Sequence, residues 1–285
     1  MSMPMEMDPL GYETGAAPPQ RVIANGRVIA FRESGYDNKR VLVLVHGVGS
    51  LAAAWGPQFV SLPNYGMRVI AWDAPGYGGS DPLPGAAPGP DDYAAALGDF
   101  VTALKLDRFV LLGHSMGALI AASYCRRDGG ARVERLILAA PSAGYATASE
   151  EQRRQRLDSR LADMAALGPA GLAEKRAGMV LSPQAPRRAM MLVRAVMREM
   201  RPDGYVQAVG MLGRADIFAD APSIKVPTLV ISGTGDTTTP EESCRSIAAA
   251  IAGARYEPLP GPGHACYIEA PGPFDAAVVR FIGGE

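Results

Sequence analysis

The chain reads as an α/β protein with a mostly parallel, eight-stranded sheet and helices on both faces, and three observations lead there. The pair Asn25-Gly26 separates two apolar alternations at 21–24 and 27–31, the strongest short-range signal for a β-hairpin. Further runs rich in apolar and β-branched residues follow near 41–46, 68–72, 108–113, 134–140, 227–232 and 255–259, with helix-like stretches between them. An antiparallel entry followed by repeated strand-helix units specifies a mainly parallel sheet covered on both sides. The 285 residues, 48% of them hydrophobic, exceed an average domain of ~150 residues, which suits one large α/β unit carrying an insertion.

Taken in order, residues 1–20 mix methionine, proline and acidic side chains without a basic start or an apolar run. That excludes a signal peptide and predicts a mobile leader. The apolar run Val41 to Val45 leads into the glycine-rich loop His46-Gly47-Val48-Gly49-Ser50, and the stretch from Pro82 to Pro90 reads as a surface loop. Residues 145–222 are helix-like and strand-poor, so they divide a core of residues 21–144 and 223–285. Within that insertion Met190, Val193, Met197 and Met200 fall on one face by i, i+3, i+4 spacing, the pattern of a helix packed against a core.

The pentapeptide Gly113-His114-Ser115-Met116-Gly117 follows the apolar run Phe109 to Leu112 and precedes the small-residue stretch Ala118 to Ala122. A G-x-S-x-G sequence between a buried strand and a helix is a nucleophile elbow, with Ser115 held in strained geometry at the turn. A serine hydroxyl is a weak nucleophile and needs a base oriented by an acid. The chain has three histidines, His46, His114 and His264. His114 adjoins the serine and points elsewhere at such a turn, and His46 belongs to the early strand-loop junction. The base is therefore His264, in the loop Gly261-Pro262-Gly263-His264. The orienting acid is Asp236, because Thr228 to Ser232 reads as a buried strand whose carboxyl end, Gly233-Thr234-Gly235-Asp236, opens into the ligand crevice of a parallel sheet. The oxyanion donors are the N–H of Met116, at a helix start, and the N–H of Val48.

These stretches, with Trp72 to Asp81 and Glu269-Ala270-Pro271, resemble the α/β-hydrolase superfamily over residues 21 to 283 apart from the middle segment. The likeness is to the capped esterase, enol-lactonase and cofactor-free haloperoxidase group. The order Ser115, Asp236, His264 is the order found with such an elbow. The resemblance implies a helical cap inserted after strand 6, with part of the methionine-rich face roofing the catalytic serine. It also implies that the turn from Asp73 to Ser80 is structural and does not supply a second acid.

The function expected is a serine hydrolase cleaving a small or medium ester or lactone, including enol-lactones, through an acyl-enzyme. Alternatives are a carbon–carbon bond hydrolase of ring-cleavage products, a haloperoxidase-like perhydrolase and, more distantly, a non-catalytic small-molecule receptor. Ser115 argues against epoxide hydrolases and haloalkane dehalogenases, which need an aspartate nucleophile. An arginine of the insertion, Arg187 or Arg188 at the hinge, is a candidate partner for a substrate carboxylate. The chemistry calls for neither metal nor organic cofactor, and the partner is a small-molecule substrate. A formal net charge of −1 with 20% charged residues offers no footprint for nucleic acid or an anionic membrane. The odd set Cys125, Cys244 and Cys266 has no metal-ligand spacing and reads as reduced thiols, and a cytoplasmic location follows as the expectation. The sequence is silent on oligomeric state.

Overall fold

A hairpin opens the fold of the computed structural model, which describes residues 18–85 and 87–284. Positions 1–17 of the expected mobile leader lie outside the described residues. Strands β1 (Gln20–Ala24) and β2 (Arg27–Ser34) pair antiparallel across Asn25 and Gly26, whose φ values of 48° and 79° are those of a tight hairpin turn. The strands β3 (Arg40–Val45), β4 (Met67–Trp72), β5 (Phe109–His114), β6 (Val133–Ala139), β7 (Thr228–Gly233) and β8 (Arg255–Leu259) match the sequence expectation to within a residue or two. All eight form one sheet in the order β1-β2-β4-β3-β5-β6-β7-β8. β2 runs antiparallel to β4, and every pairing from β4 through β8 is parallel.

The central strands are apolar without alternation because both faces are covered: Leu42 to Val45 and Leu111 to Leu112 have no exposed surface. Helices α1 (Gly56–Ser61), α2 (Pro90–Ala103) and α3 (Met116–Asp128) follow β3, β4 and β5. Between β6 and β7 the chain passes through α4 (Glu150–Arg176), α5 (Arg187–Arg198), α6 (Pro202–Leu212) and α7 (Ile217–Asp220), with no strand among the described residues there. Helix α4 breaks at Gly168, where φ is 60°, because the following Pro169 lacks an N–H and disfavours helical geometry before it. Helix α8 (Glu241–Ala250) then leads to β8, and α9 (Cys266–Glu269) and α10 (Pro271–Gly283) complete the core. None of the helices is long and apolar enough to cross a membrane, among the described residues.

The turn from Asp73 to Ser80 seats the helical insertion. Asp73 accepts the Ala52 N–H at 2.8 Å, and Ser80 Oγ donates to the Asp73 carbonyl at 2.6 Å. Gly76 lies against Gly204 at the start of α6, so closely that a Cβ at 76 would stand 2.6 Å from the Gly204 Cα. Arg201 donates to the Ser80 carbonyl at 3.0 Å and Gln207 to the Leu83 carbonyl at 2.9 Å. The turn is structural, as the resemblance implies.

Behind the site, Trp55 stacks on Tyr267 at 4.0 Å between ring centroids. The three cysteines are buried free thiols, and burial pushes the Cys244 thiol up to about 11. Beneath this layer Asp275 accepts hydrogen bonds from Gln58 Nε2, at 2.9 Å, and from Ser61 Oγ. Burial lifts its carboxyl to about 6, against the downward pull of those two donors. A raised carboxyl holds a proton in the folded protein that the unfolded chain has already released. Its contribution to stability is therefore present at low pH and is lost as pH rises through about 6. Asp275→Asn should flatten that decline: between pH 4 and pH 6 the melting temperature of the variant is expected to fall by roughly 2–4 °C less than that of the wild type, measured by calorimetry.

Candidate active site

The strand-to-helix junction after β5 forces an unusual backbone at one residue. Ser115 has φ 55° and ψ −113°, a region that side chains other than glycine rarely occupy. Both glycines of the pentapeptide are sterically required. A Cβ at Gly113 would overlap the Gly117 carbonyl, and one at Gly117 would overlap the carbonyl of Val45 in β3. The Ser115 N–H donates to the Ala139 carbonyl at 3.0 Å, which anchors the elbow to β6.

Asp236 stands just beyond β7 with its side chain wholly removed from solvent. Its Oδ1 accepts the amides of Thr238 and Thr239 at 2.7 and 2.9 Å. Its Oδ2 accepts the Thr239 hydroxyl at 2.7 Å and His264 Nδ1 at 2.8 Å. Burial disfavours the charged carboxylate, but the imidazole and the Thr239 donors outweigh it and hold Asp236 below the usual aspartate value. With Nδ1–H committed to Asp236, the neutral ring carries its lone pair on Nε2.

Ser115 and His264 line one cavity of about 870 Å³, counting its open mouth, together with Val48 and Gly49. Among the hydrogen bonds of the described residues, the imidazole's join Asp236 and Thr239, and none reaches the Ser115 hydroxyl. Such contacts are often long in unliganded sites and tighten when substrate binds. Met116 begins α3, so its N–H has no acceptor within the helix. Val48 is fixed from the other side: its carbonyl accepts the Tyr77 hydroxyl at 2.8 Å.

The other two histidines are structural donors. His46 takes the Ala74 N–H on Nε2 at 2.9 Å and donates from Nδ1 to the Gly47 carbonyl at 2.8 Å, which ties the loop containing Val48 to the turn at Asp73. Burial lowers it to about 4 and keeps it neutral. His114 donates from Nε2 to the His264 carbonyl at 3.0 Å, so it holds the backbone of His264. Burial, then the positive potential of His264, lowers it to about 3.

Several positioning groups gave no sign of their role in the sequence, although Glu269 and Tyr77 lie in stretches that carry the family resemblance. Glu269 accepts Gly263 N–H at 3.0 Å and Ser182 N–H at 2.9 Å, so one carboxylate binds the His264 loop to the helical insertion. Thr239 and Tyr77 are ordinary polar or aromatic residues by sequence context, although an aspartate three residues before a threonine is a pattern for a local hydrogen bond. The methionine-rich face does reach the cavity: Val193, Val196, Met197 and Met200 line it, while Met190 does not. The arginine expectation is corrected. Arg187 and Arg188 are exposed at the start of α5, because the face of that helix turned inward is its apolar one. The arginines that reach the cavity are Arg160 and Arg176 of α4.

An eight-stranded, mostly parallel sheet whose strained serine elbow faces a histidine bonded to a buried aspartate defines an α/β hydrolase. Residues 36–270 match the family model of hydrolases described as serine aminopeptidase, S33, and the chain belongs to that family. The chain is 26% identical over 246 residues to the AB hydrolase superfamily protein YisY of Bacillus subtilis (strain 168), covering 85% of this chain and 91% of that protein. Among solved structures it resembles the enol-lactonase of Burkholderia xenovorans LB400, with TM-score 0.83, 28% identity and coverage of 93% of this chain and 100% of that one. It also resembles a thermophilic esterase of Thermogutta terrifontis, with TM-score 0.81, 25% identity and coverage of 94% and 99%.

Thr239→Val removes a donor to Asp236 without emptying the site of side-chain volume. It is expected to cut kcat/KM about tenfold, the loss of one charge-assisted hydrogen bond, while Thr239→Ser retains most of the activity. Steady-state kinetics on any ester turned over by the wild type checks this.

Proposed function

We propose that this protein is a serine hydrolase of small or medium carboxylic esters or lactones and works through an acyl-enzyme. The observation that carries the reading is the pairing of a strained Ser115 with a carboxylate-held His264 on the wall of one mostly apolar cavity. In this mechanism His264 Nε2 removes the proton from Ser115 Oγ as the oxygen attacks the substrate carbonyl. The amides of Val48 and Met116 receive the oxyanion. The imidazolium, stabilised by Asp236, then gives its proton to the departing alkoxide or enolate, and water repeats the sequence on the acyl-enzyme. The helices between β6 and β7 act as a cap, because Leu172, Val193, Val196 and Met197 supply apolar wall to the cavity that Ser115 also lines. A roof of that kind limits the substrate to small molecules and excludes water from the reacting centre.

The likeness to an enol-lactonase and to an esterase supports ester or lactone chemistry. Aminopeptidase activity fits this chain less well. A peptide's terminal ammonium needs a nearby carboxylate, and the cavity wall carries two arginines and no aspartate or glutamate among the described residues.

Hydrolysis of 4-nitrophenyl acetate should show a burst of nitrophenolate equal to the enzyme concentration, followed by slower turnover. Ser115→Ala or His264→Ala should reduce kcat by about 10⁴-fold or more, with only modest change in melting temperature. Hydrolysis that persists in Ser115→Ala would contradict the reading. So would the lack of any Ser115-dependent turnover across a panel of esters and lactones.

A further inference from the structure

The cavity wall holds two cations that the serine mechanism does not use. Arg160, on the first half of α4, and Arg176, near its end, both line the cavity. Arg176 is already paired: its Nε and Nη2 donate to Asp163 Oδ2 at 3.1 and 2.5 Å. Elsewhere in the insertion Arg194 and Arg198 pair with Glu174, and Arg201 with Asp203. Among the ion pairs of the described residues none engages Arg160. Its neighbours are the phenols of Tyr145 and Tyr205, and Tyr205 also lines the cavity. Burial works against its cation, and those phenols more than offset the penalty, so the guanidinium stays charged.

A guanidinium held by phenols and by no carboxylate, beside an apolar wall of Leu172, Val193, Val196 and Met197, keeps its full charge for an incoming anion, and its attraction there is screened less than in water. We propose that Arg160 recognises a carboxylate on the substrate, so that the preferred ester or lactone is anionic and is oriented by a guanidinium–carboxylate pair while Ser115 attacks its carbonyl. This rests on the serine-hydrolase reading above and narrows its substrate class. The planar guanidinium fork matches a carboxylate with two parallel N–H···O bonds, which a lysine could not reproduce.

The test compares three phenyl esters at pH 7: neutral phenyl hexanoate, monophenyl adipate with its carboxylate on the acyl arm, and 4-carboxyphenyl hexanoate with its carboxylate on the leaving group. The wild type is expected to prefer one of the two anionic esters over phenyl hexanoate by about ten- to a hundredfold in kcat/KM, chiefly through KM. Which one it prefers tells on which side of the scissile bond the carboxylate sits. In Arg160→Gln that ratio should collapse toward one, and Arg160→Lys should restore part of it. Three results overturn the proposal: no anionic preference in the wild type, a preference that survives Arg160→Gln, or a parallel fall on all three esters with the ratio intact. Ser115→Ala separates the two levels. If it hydrolyses phenyl hexanoate as fast as the wild type, the serine reading itself fails and the proposal goes with it. If that activity is lost but the ratio does not depend on Arg160, the carboxylate assignment alone fails.

Discussion

A fully buried carboxylate governs the architecture of this site. Removing an aspartate from water costs several kcal/mol, and the protein can keep Asp236 charged only by surrounding it with donors. Two backbone amides, one hydroxyl and one imidazole N–H meet that need at 2.7 to 2.9 Å. Each donor is consequently fixed in place, and the imidazole is the one that matters for chemistry. Its Nδ1 is held on the acid, so its Nε2 is the end left to act as a base. The end of β7, which positions Asp236, and the loop after β8, which carries His264, are thereby locked together.

The rest of the molecule braces that loop and the elbow opposite it. His114 holds the His264 carbonyl from below, and Glu269 joins Gly263 to Ser182 of the helical insertion. His46 and Tyr77 do the same for the loop bearing Val48. The insertion is thus attached to both sides of the reacting centre, at the His264 loop and at the turn from Asp73 to Ser80, where Gly76 meets Gly204.

Local chemistry made much of this legible in advance. Asn25-Gly26 can adopt the positive φ values of a tight turn, and the runs Leu42 to Val45 and Leu229 to Ile231 are apolar and buried without alternation, so hairpin and parallel sheet could be read directly. The elbow was legible because a Cβ at 113 or 117 collides with backbone, which limits the sequences able to make that turn. Asp236 and His264 followed from strand ends and from the scarcity of histidine, and the structure joins them. The hydrogen bond expected between Ser115 and the imidazole is not among those of the described residues, since the fine spacing of two loops is beyond any motif. Groups whose role depends on tertiary partners were hidden as well. Glu269 and His114 act on backbone atoms of residues elsewhere in the chain. The arginines of the insertion look alike in a string of letters, and only the packing of α4 separates Arg160 and Arg176, which face the cavity, from the exposed Arg187 and Arg188.

Activation of one serine by one histidine is the centre of the account, and covalent trapping measures it directly. A fluorophosphonate should add to the intact enzyme once, with the mass increment on the peptide containing Ser115, and His264→Ala should react at least about a thousandfold more slowly while remaining folded. Label found on another residue, or a His264→Ala variant that reacts as fast as the wild type, would contradict it.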